Sequence, residues 1–228
     1  MNKKSSPHRP IFRGRAHRAA ATAAGLAAAF LLATVPARAQ FSEPHTVHVL
    51  DASALHPPAG ARVAIIEFDD LECPACAHAN PVLMQAAANY KIPWVRHDFL
   101  IPGHIWSPTA AIYARWFDQK SPHLGDDYRN YIFANQISIE TQPALRQFTQ
   151  QFASAHGIAL PFAVDPQGKL NALVQADTQL AMRMGLKETP TIFIATANSK
   201  GQPYIQVLNV EQDLYRDIDQ ALAQTRGH

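Results

Sequence analysis

Apolar and polar residues first alternate at Thr46 to Leu50 (Thr-Val-His-Val-Leu), which predicts an edge strand, and Pro57, Pro58 and Gly60 then mark a turn. Val63 to Phe68 (Val-Ala-Ile-Ile-Glu-Phe) is apolar everywhere except Glu67. Its β-branched Val63, Ile65 and Ile66 fit a strand covered on both faces, which needs no polar alternation. Ala77 to Tyr90, rich in Ala, Leu and Met, predicts a helix. Pro81 inside it removes a backbone hydrogen bond, so a bend is expected there. Ile92 to Leu100 predicts a second strand, and strand, helix, strand at this spacing is a βαβ unit with a right-handed crossover.

From Trp106 to Gly185 the period becomes helical. Ile112, Tyr113, Trp116 and Phe117 form one apolar face after a Ser107-Pro108 start, and Tyr128, Ile132 and Phe133 lie near another helical stretch. Thr141-Gln142-Pro143 opens a further helix with Leu145, Phe148 and Phe152 as its stripe, ending near His156-Gly157. Leu170 to Met184 is a helix with Gly185 as its C-cap. Helical spacing accounts for these aromatics as core. Thr191 to Ala195 and Tyr204 to Leu208, joined across Asn198 to Gln202, predict a hairpin, and Glu211 to Ala223 a closing amphipathic helix with Leu214, Ile218 and Leu222 on one face. The order ββαβ, several helices, ββα gives an α/β architecture of helices on a central mixed sheet.

The 228 residues suit one domain, or one with an insertion, and 47% hydrophobic residues suffice for a substantial core. Residues 1–39 read differently from the rest. Met1 to Arg18 is basic without an acid, Ala19 to Val35 is apolar, and Ala37-Arg38-Ala39 is a small-x-small cleavage site. That is the pattern of a secretory signal peptide, and an Ala-rich run this short argues against a membrane anchor. The absence of an adjacent Arg-Arg pair argues against a twin-arginine signal. Residues 40–61 then form an N-terminal edge strand and turn, too short for a domain, and 62–228 the main domain. Without the signal, 13 Lys and Arg remain against 18 Asp and Glu, a net charge of −5. The overall pI of 8.6 therefore does not indicate nucleic-acid binding.

The only cysteines, Cys73 and Cys76, stand as C-x-x-C between the buried strand and its helix. A strand that ends in C-x-x-C and passes into a helix is the thioredoxin-type redox arrangement. A thiol in a first helical turn meets unpaired N–H groups and the positive end of the dipole, which favour thiolate. Pro74 fits the same turn. In an exported protein the pair admits a structural disulfide, but a bridge closing so short a loop restricts the unfolded chain little, so redox work explains it better. Zinc would need two more ligands, and only His78 is near; c-type haem needs His where Ala77 stands. No metal site is expected. Cys73, nearer the solvent-facing helix tip, is read as the attacking or attacked sulfur, and Cys76 as the one that resolves the mixed disulfide. Glu67, if it shares a face with Val63 and Ile65, lies beneath the helix and takes the proton of the resolving thiol. The bland alternative is a salt-bridged edge residue. Asp69, Asp70 and Glu72 read as a solvated loop whose charge opposes thiolate formation at Cys73.

Glu67-Phe68, Cys73-Pro74-Ala75-Cys76, Pro81, and Gly185 to Thr191 (Gly-Leu-Lys-Glu-Thr-Pro-Thr) leading into a strand resemble the thioredoxin superfamily, specifically the DsbA-like periplasmic thiol–disulfide oxidoreductases. The resemblance covers most of the chain after residue 39. It implies a thioredoxin fold with a helical insertion, about residues 105–185, between the βαβ and ββα halves. It also implies that Pro190 is a cis proline packed against the C-x-x-C, with the Thr189 backbone presented to an incoming peptide strand and Pro74 and Ala75 in the active-site loop. Strong oxidases of this family carry His before the second cysteine; Ala75 there points to a weaker oxidant. Thr before the cis proline also occurs in isomerases and reductases of the superfamily, although the isomerases dimerise through a separate N-terminal domain that residues 40–61 cannot form.

The reading is thus an exported, periplasmic or secreted enzyme that forms or exchanges disulfides in unfolded or reduced secreted proteins. It needs no bound cofactor, since the cysteines carry two electrons. The resemblance implies a membrane quinone-linked thiol oxidase as redox partner. The alternatives are a periplasmic reductase or isomerase, a non-catalytic thioredoxin-fold binding module with a structural disulfide, and a metallochaperone holding copper or zinc between the cysteines.

Overall fold

The computed structural model describes residues 42–199 and 203–225. The expected signal peptide at 1–39 and the tip of the hairpin turn at 200–202 lie outside them.

The strands are β1 (Thr46–Val47), β2 (Val63–Asp69), β3 (Trp94–Asp98), β4 (Thr191–Thr196) and β5 (Tyr204–Val207). They form one mixed sheet in the order β1-β5-β4-β2-β3. β2 pairs parallel with β3, Glu67 opposite Arg96, and antiparallel with β4, Ile65 opposite Ile194. β2 is buried at all seven positions, as its continuous apolar run requires. The expected edge strand is present but only two residues long, paired with β5.

The helices are α1 (Pro74–Tyr90), α2 (Ser107–Asp118), α3 (Pro122–Asn135), α4 (Gln142–Ala155), α5 (Lys169–Met184) and α6 (Leu214–Gln224), with a 3-10 turn at Gln136–Ser138. α1 runs through Pro81 and closes at Lys91, which takes a left-handed conformation. α6 starts later than its apolar pattern suggested, because Glu211 and Gln212 instead give their backbone N–H groups to the Asn209 side chain.

Strand alternation divides the sheet into two faces. Val63, Ile65, Ile192, Ile194, Ile205 and Val207 pack against Leu83 of α1 and Leu214 and Ile218 of α6. Ala64, Ile66, Phe68, Phe193 and Tyr204 pack against Ala181 and Met184 of α5 and, before the sheet, Val49 and Leu55. Each fully buried Leu or Ile contributes about 1.5–3 kcal/mol, more than any helix propensity difference, so these faces fix where α1 and α6 lie. Gly185, at φ +87°, ends α5 in the left-handed region that an L side chain rarely adopts, and turns the chain toward β4.

Helices α2 to α5 lie in sequence between β3 and β4 as the expected insertion. Its aromatic residues, Tyr113, Trp116, Phe117, Tyr128 and Phe152, make a core of their own that also takes in Leu71, Cys73 and Cys76. Ser121 and Thr141 cap α3 and α4 by accepting from Leu124 N and Ala144 N.

Candidate active site

Cys73 is the N-cap of α1 and Pro74 its first residue, whose missing N–H is harmless there. The loop leading to Cys73 is held on three sides. Cys73 N donates to Asp70 O at 3.0 Å. The Gln136 side-chain amide, from the insertion, donates to Leu71 O at 2.9 Å and Cys73 O at 3.0 Å. Glu72 Oε2 accepts from Trp106 N at 2.7 Å and Ser107 N at 2.9 Å, capping the bare N-terminus of α2.

Asp69, Asp70 and Glu72 therefore do not form a solvated loop. Asp69 and Asp70 are buried; Asp70 accepts from Glu72 N and Ile101 N, both at 2.8 Å. Their charges are drawn toward backbone donors and an arginine, so they do not keep the Cys73 thiol protonated.

Thr189–Pro190 is a cis peptide bond at the start of β4. The Thr189 carbonyl lies 3.3 Å from Cys73 Sγ and accepts from it in the thiol form. Thr191 Oγ1 donates to Glu188 O at 2.7 Å and holds this turn. A groove of about 350 Å³ adjoins it, lined among others by Ala75, His78, Pro190, Leu208 and Glu211. Here His78 Nε2 and Glu211 Oε1 pair at 3.0 Å.

Both cysteines are reduced in this structure. Cys73 is only 7% exposed, more enclosed than a helix-tip position suggested, because the insertion's core reaches it; Cys76 is fully buried. The two sulfurs are electrostatically opposite. Hydrogen bonding from the Cys76 thiol, with the backbone N–H groups of Cys76 and Ala75, lowers the Cys73 pKa to about 6 against the opposing effect of burial. Burial, then the bond to Cys73, then the charges of Asp69 and Glu67 push Cys76 well above the ordinary thiol range.

Glu67 lies in interior β2, fully buried on the α1 face, so it is not an edge residue, although it is ion-paired as the bland alternative had it. Trp94 Nε1 donates to its Oε2 at 2.9 Å, and Arg96 Nε stands 3.8 Å away. Desolvation raises the Glu67 pKa above the ordinary carboxylate range, Asp69 adds to the rise, and Arg96 opposes it. Arg96 itself is buried, stacks 3.6 Å from the Trp94 ring centroid, and donates from Nη2 to Asn80 and, at 3.1 Å, to Asn130.

All the residues singled out from the sequence, Glu67, Cys73 to Cys76, Thr189 and Pro190, meet in this region. Sequence reasoning missed Trp94, Arg96 and Gln136, and it took Asp69 and Glu72 for solvated loop acids. An arginine inside the apolar run Ile92 to Leu100 was a usable signal for a buried partner opposite Glu67. Gln136 carried none.

Residues 58–206 match the family described as Thioredoxin, and the chain belongs to that family. Its fold is that of DsbA-like proteins. Similar solved structures are α-DsbA1 of Wolbachia pipientis (TM-score 0.60, 14% identity, 81% of this chain and 96% of that one), oxidised BdbD of Bacillus subtilis (0.59, 16%, 81% and 98%) and the oxidoreductase NmDsbA1 of N. meningitidis (0.56, 17%, 82% and 94%). No curated protein matches the chain in sequence.

Proposed function

We propose that the protein is an exported thiol–disulfide oxidoreductase that forms or exchanges disulfides in secreted proteins. The observation that carries this reading is the Cys73 sulfur at the N-terminus of α1, with a pKa lowered to about 6 and facing the Thr189–Pro190 cis bond. In the oxidising direction a substrate thiolate attacks Cys73 of the Cys73–Cys76 disulfide, and the Cys76 sulfur leaves and takes a proton. A second substrate thiolate then attacks the substrate sulfur of the mixed disulfide and expels the Cys73 thiolate. Two electrons pass to the enzyme. Glu67 supplies or receives the proton at Cys76. Pro190 and the Thr189 backbone hold the substrate as an added extended strand, and Pro74 and Ala75 shape the loop around the reacting sulfur. Residues 1–39 direct export, unfolded or reduced secreted proteins are the substrates, and a membrane quinone-linked thiol oxidase restores the disulfide.

The test is the equilibrium of the pair with a glutathione redox buffer. A Cys73 pKa of about 6 falls between about 7 for thioredoxin and about 3.5 for DsbA. The expected potential accordingly falls between about −270 and about −120 mV. A value at or below about −270 mV overturns disulfide donation in favour of a reductase. No measurable exchange overturns the enzyme reading and leaves a binding module.

A further inference from the structure

The buried face of β2 carries a second carboxyl beside the one already placed in the exchange. Glu67 and Asp69 are two residues apart on one strand, so both point to the face that α1 covers, and both are almost fully buried. Arg96 Nε lies 3.8 Å from Glu67 Oε2 and 4.0 Å from Asp69 Oδ2. Among the described residues it is the one cation within 4.0 Å of either carboxyl.

The neighbouring charges have closer partners of their own but still act on Asp69, Asp98 and Asp70 raising its proton affinity and Arg129 lowering it. On α3, Arg129 donates to Asp118 of α2 through two bonds of 2.8 and 2.7 Å, and stands 4.0 Å from Asp126. On α2, Arg115 donates from Nε to Asp98 of β3 at 2.6 Å and from Nη2 to Asp177 of α5. On α1 the facing groups are Cys73, Cys76 and the neutral Asn80, which accepts from Arg96. Glu67 Oε1, Asp69 Oδ2, and Arg96 Nε and Nη1 are buried without a hydrogen-bond partner.

Within 4.0 Å, charge counting then leaves two carboxyls for one guanidinium, in a region where an uncompensated buried charge is strongly unfavourable. Two acids sharing such a site lose their second proton only reluctantly, so at rest they keep one proton between them. We propose that Asp69 is a second positioning residue for proton transfer: with Glu67 and Arg96 it forms a buried unit that holds one proton and exchanges it with the Cys76 sulfur. When Cys76 leaves the internal disulfide, its thiolate takes that proton and the carboxyl pair becomes doubly ionised. When the Cys76 thiol attacks a mixed disulfide at Cys73, the proton returns to the pair and the substrate sulfur leaves. Burial, the first cause, raises the proton affinity of both carboxyls, and Asp69 acts on Cys76 ahead of Glu67 among their charges. This inference rests on the exchange chemistry proposed above.

The experiment loads glutathione onto Cys73 of the reduced protein and follows its release by stopped flow from about pH 5 to about pH 9. Wild type is compared with Asp69→Asn, Glu67→Gln and the double variant. Each single change should slow release about 100-fold near neutrality, the low end of the usual range for general acid–base catalysis, and the double change should slow it no further, because two residues that share one proton act as a unit. The gap between wild type and the variants should narrow as pH rises, where hydroxide increasingly deprotonates Cys76 without help; a merely structural disturbance would slow release equally at every pH. An Asp69→Asn profile that overlays wild type, or a double variant slowed by the product of the two single effects, overturns the role of Asp69 in a shared unit. Carboxyl carbon NMR titration of the reduced wild-type protein decides independently of exchange and of whether variants fold. One proton shared by Glu67 and Asp69 should be lost near neutrality; two ordinary carboxylate titrations overturn the proposal. If wild type exchanges no glutathione at all, the exchange chemistry fails, while the titration still decides where the proton sits.

Discussion

At the scale of single residues, Cys73 and Cys76 differ only in their place on one helix, yet their proton affinities are driven apart. Cys73 sits where unpaired N–H groups and the neighbouring thiol point at its sulfur, and Cys76 sits one turn further in, without water and near two acids. Alkylation of the reduced protein should therefore modify Cys73 alone at neutral pH, at a rate that rises to a plateau with a midpoint near pH 6. Mass spectrometry of the labelled peptide checks the site. A midpoint in the ordinary thiol range, near about 8.5, would remove the electrostatic basis of the site. Ala75 adds neither charge nor a polar side-chain group to this loop, so the Cys76 thiol is the largest single cause that favours the thiolate.

At the scale of elements, the active-site loop and the insertion are joined by capping. Glu72 supplies the acceptor that the first turn of α2 lacks, since Trp106 at its N-cap offers no side-chain oxygen. Glu72→Ala should lower stability by about 1–2 kcal/mol, read by urea unfolding, and slow exchange at Cys73 because the loop loses its anchor. Stability unchanged within error would mean that water caps the helix as well as Glu72 does. Helix α3 carries a different constraint. A Cβ on Gly125 would lie 1.7 Å from Asp118 Oδ1, inside the paired bonds to buried Arg129. Gly125→Ala should therefore force Asp118 to shift, weaken its bonds to Arg129 and destabilise by about 1–2 kcal/mol, despite alanine's better helix propensity. A stabilised variant in the same unfolding assay would show that the pair relaxes freely.

At the scale of the whole molecule, the thiolate links redox state to stability. The folded Cys73 pKa, about 6, lies below the reference thiol value of 9.0, so between them the folded reduced chain binds fewer protons than the unfolded one. Stability from this group is complete above the unfolded value and is lost as pH falls through about 6. The melting temperature of reduced wild type should accordingly pull ahead of that of reduced Cys73→Ser as pH rises across this window. Glu67 and Asp69 have raised proton affinities and contribute the opposite slope, but they are present in both proteins and largely cancel in the comparison. A constant difference across the window would contradict a stabilised thiolate. The oxidised protein, which has no Cys73 proton to lose, should show no such gain.

While the helical insertion followed from the family resemblance, periodicity and local chemistry in the sequence determined the elements, their order, the mixed sheet with helices on it, and the C-x-x-C at a helix start. These are settled within a few turns of chain: burial on both faces selects β2, and Gly185 fits the left-handed end of α5. Glu67 was legible as a buried acid because it alone interrupts an apolar strand. Tertiary structure alone decided what surrounds it. Asp69 and Asp70 look like loop acids until β3 and Ile101 lie beside them, and Gln136 reaches Leu71 and Cys73 across 65 and 63 residues. The physical reason is that hydrophobic pattern records which side of an element is covered, whereas the pairing of buried charges depends on which distant groups the fold brings within 4 Å.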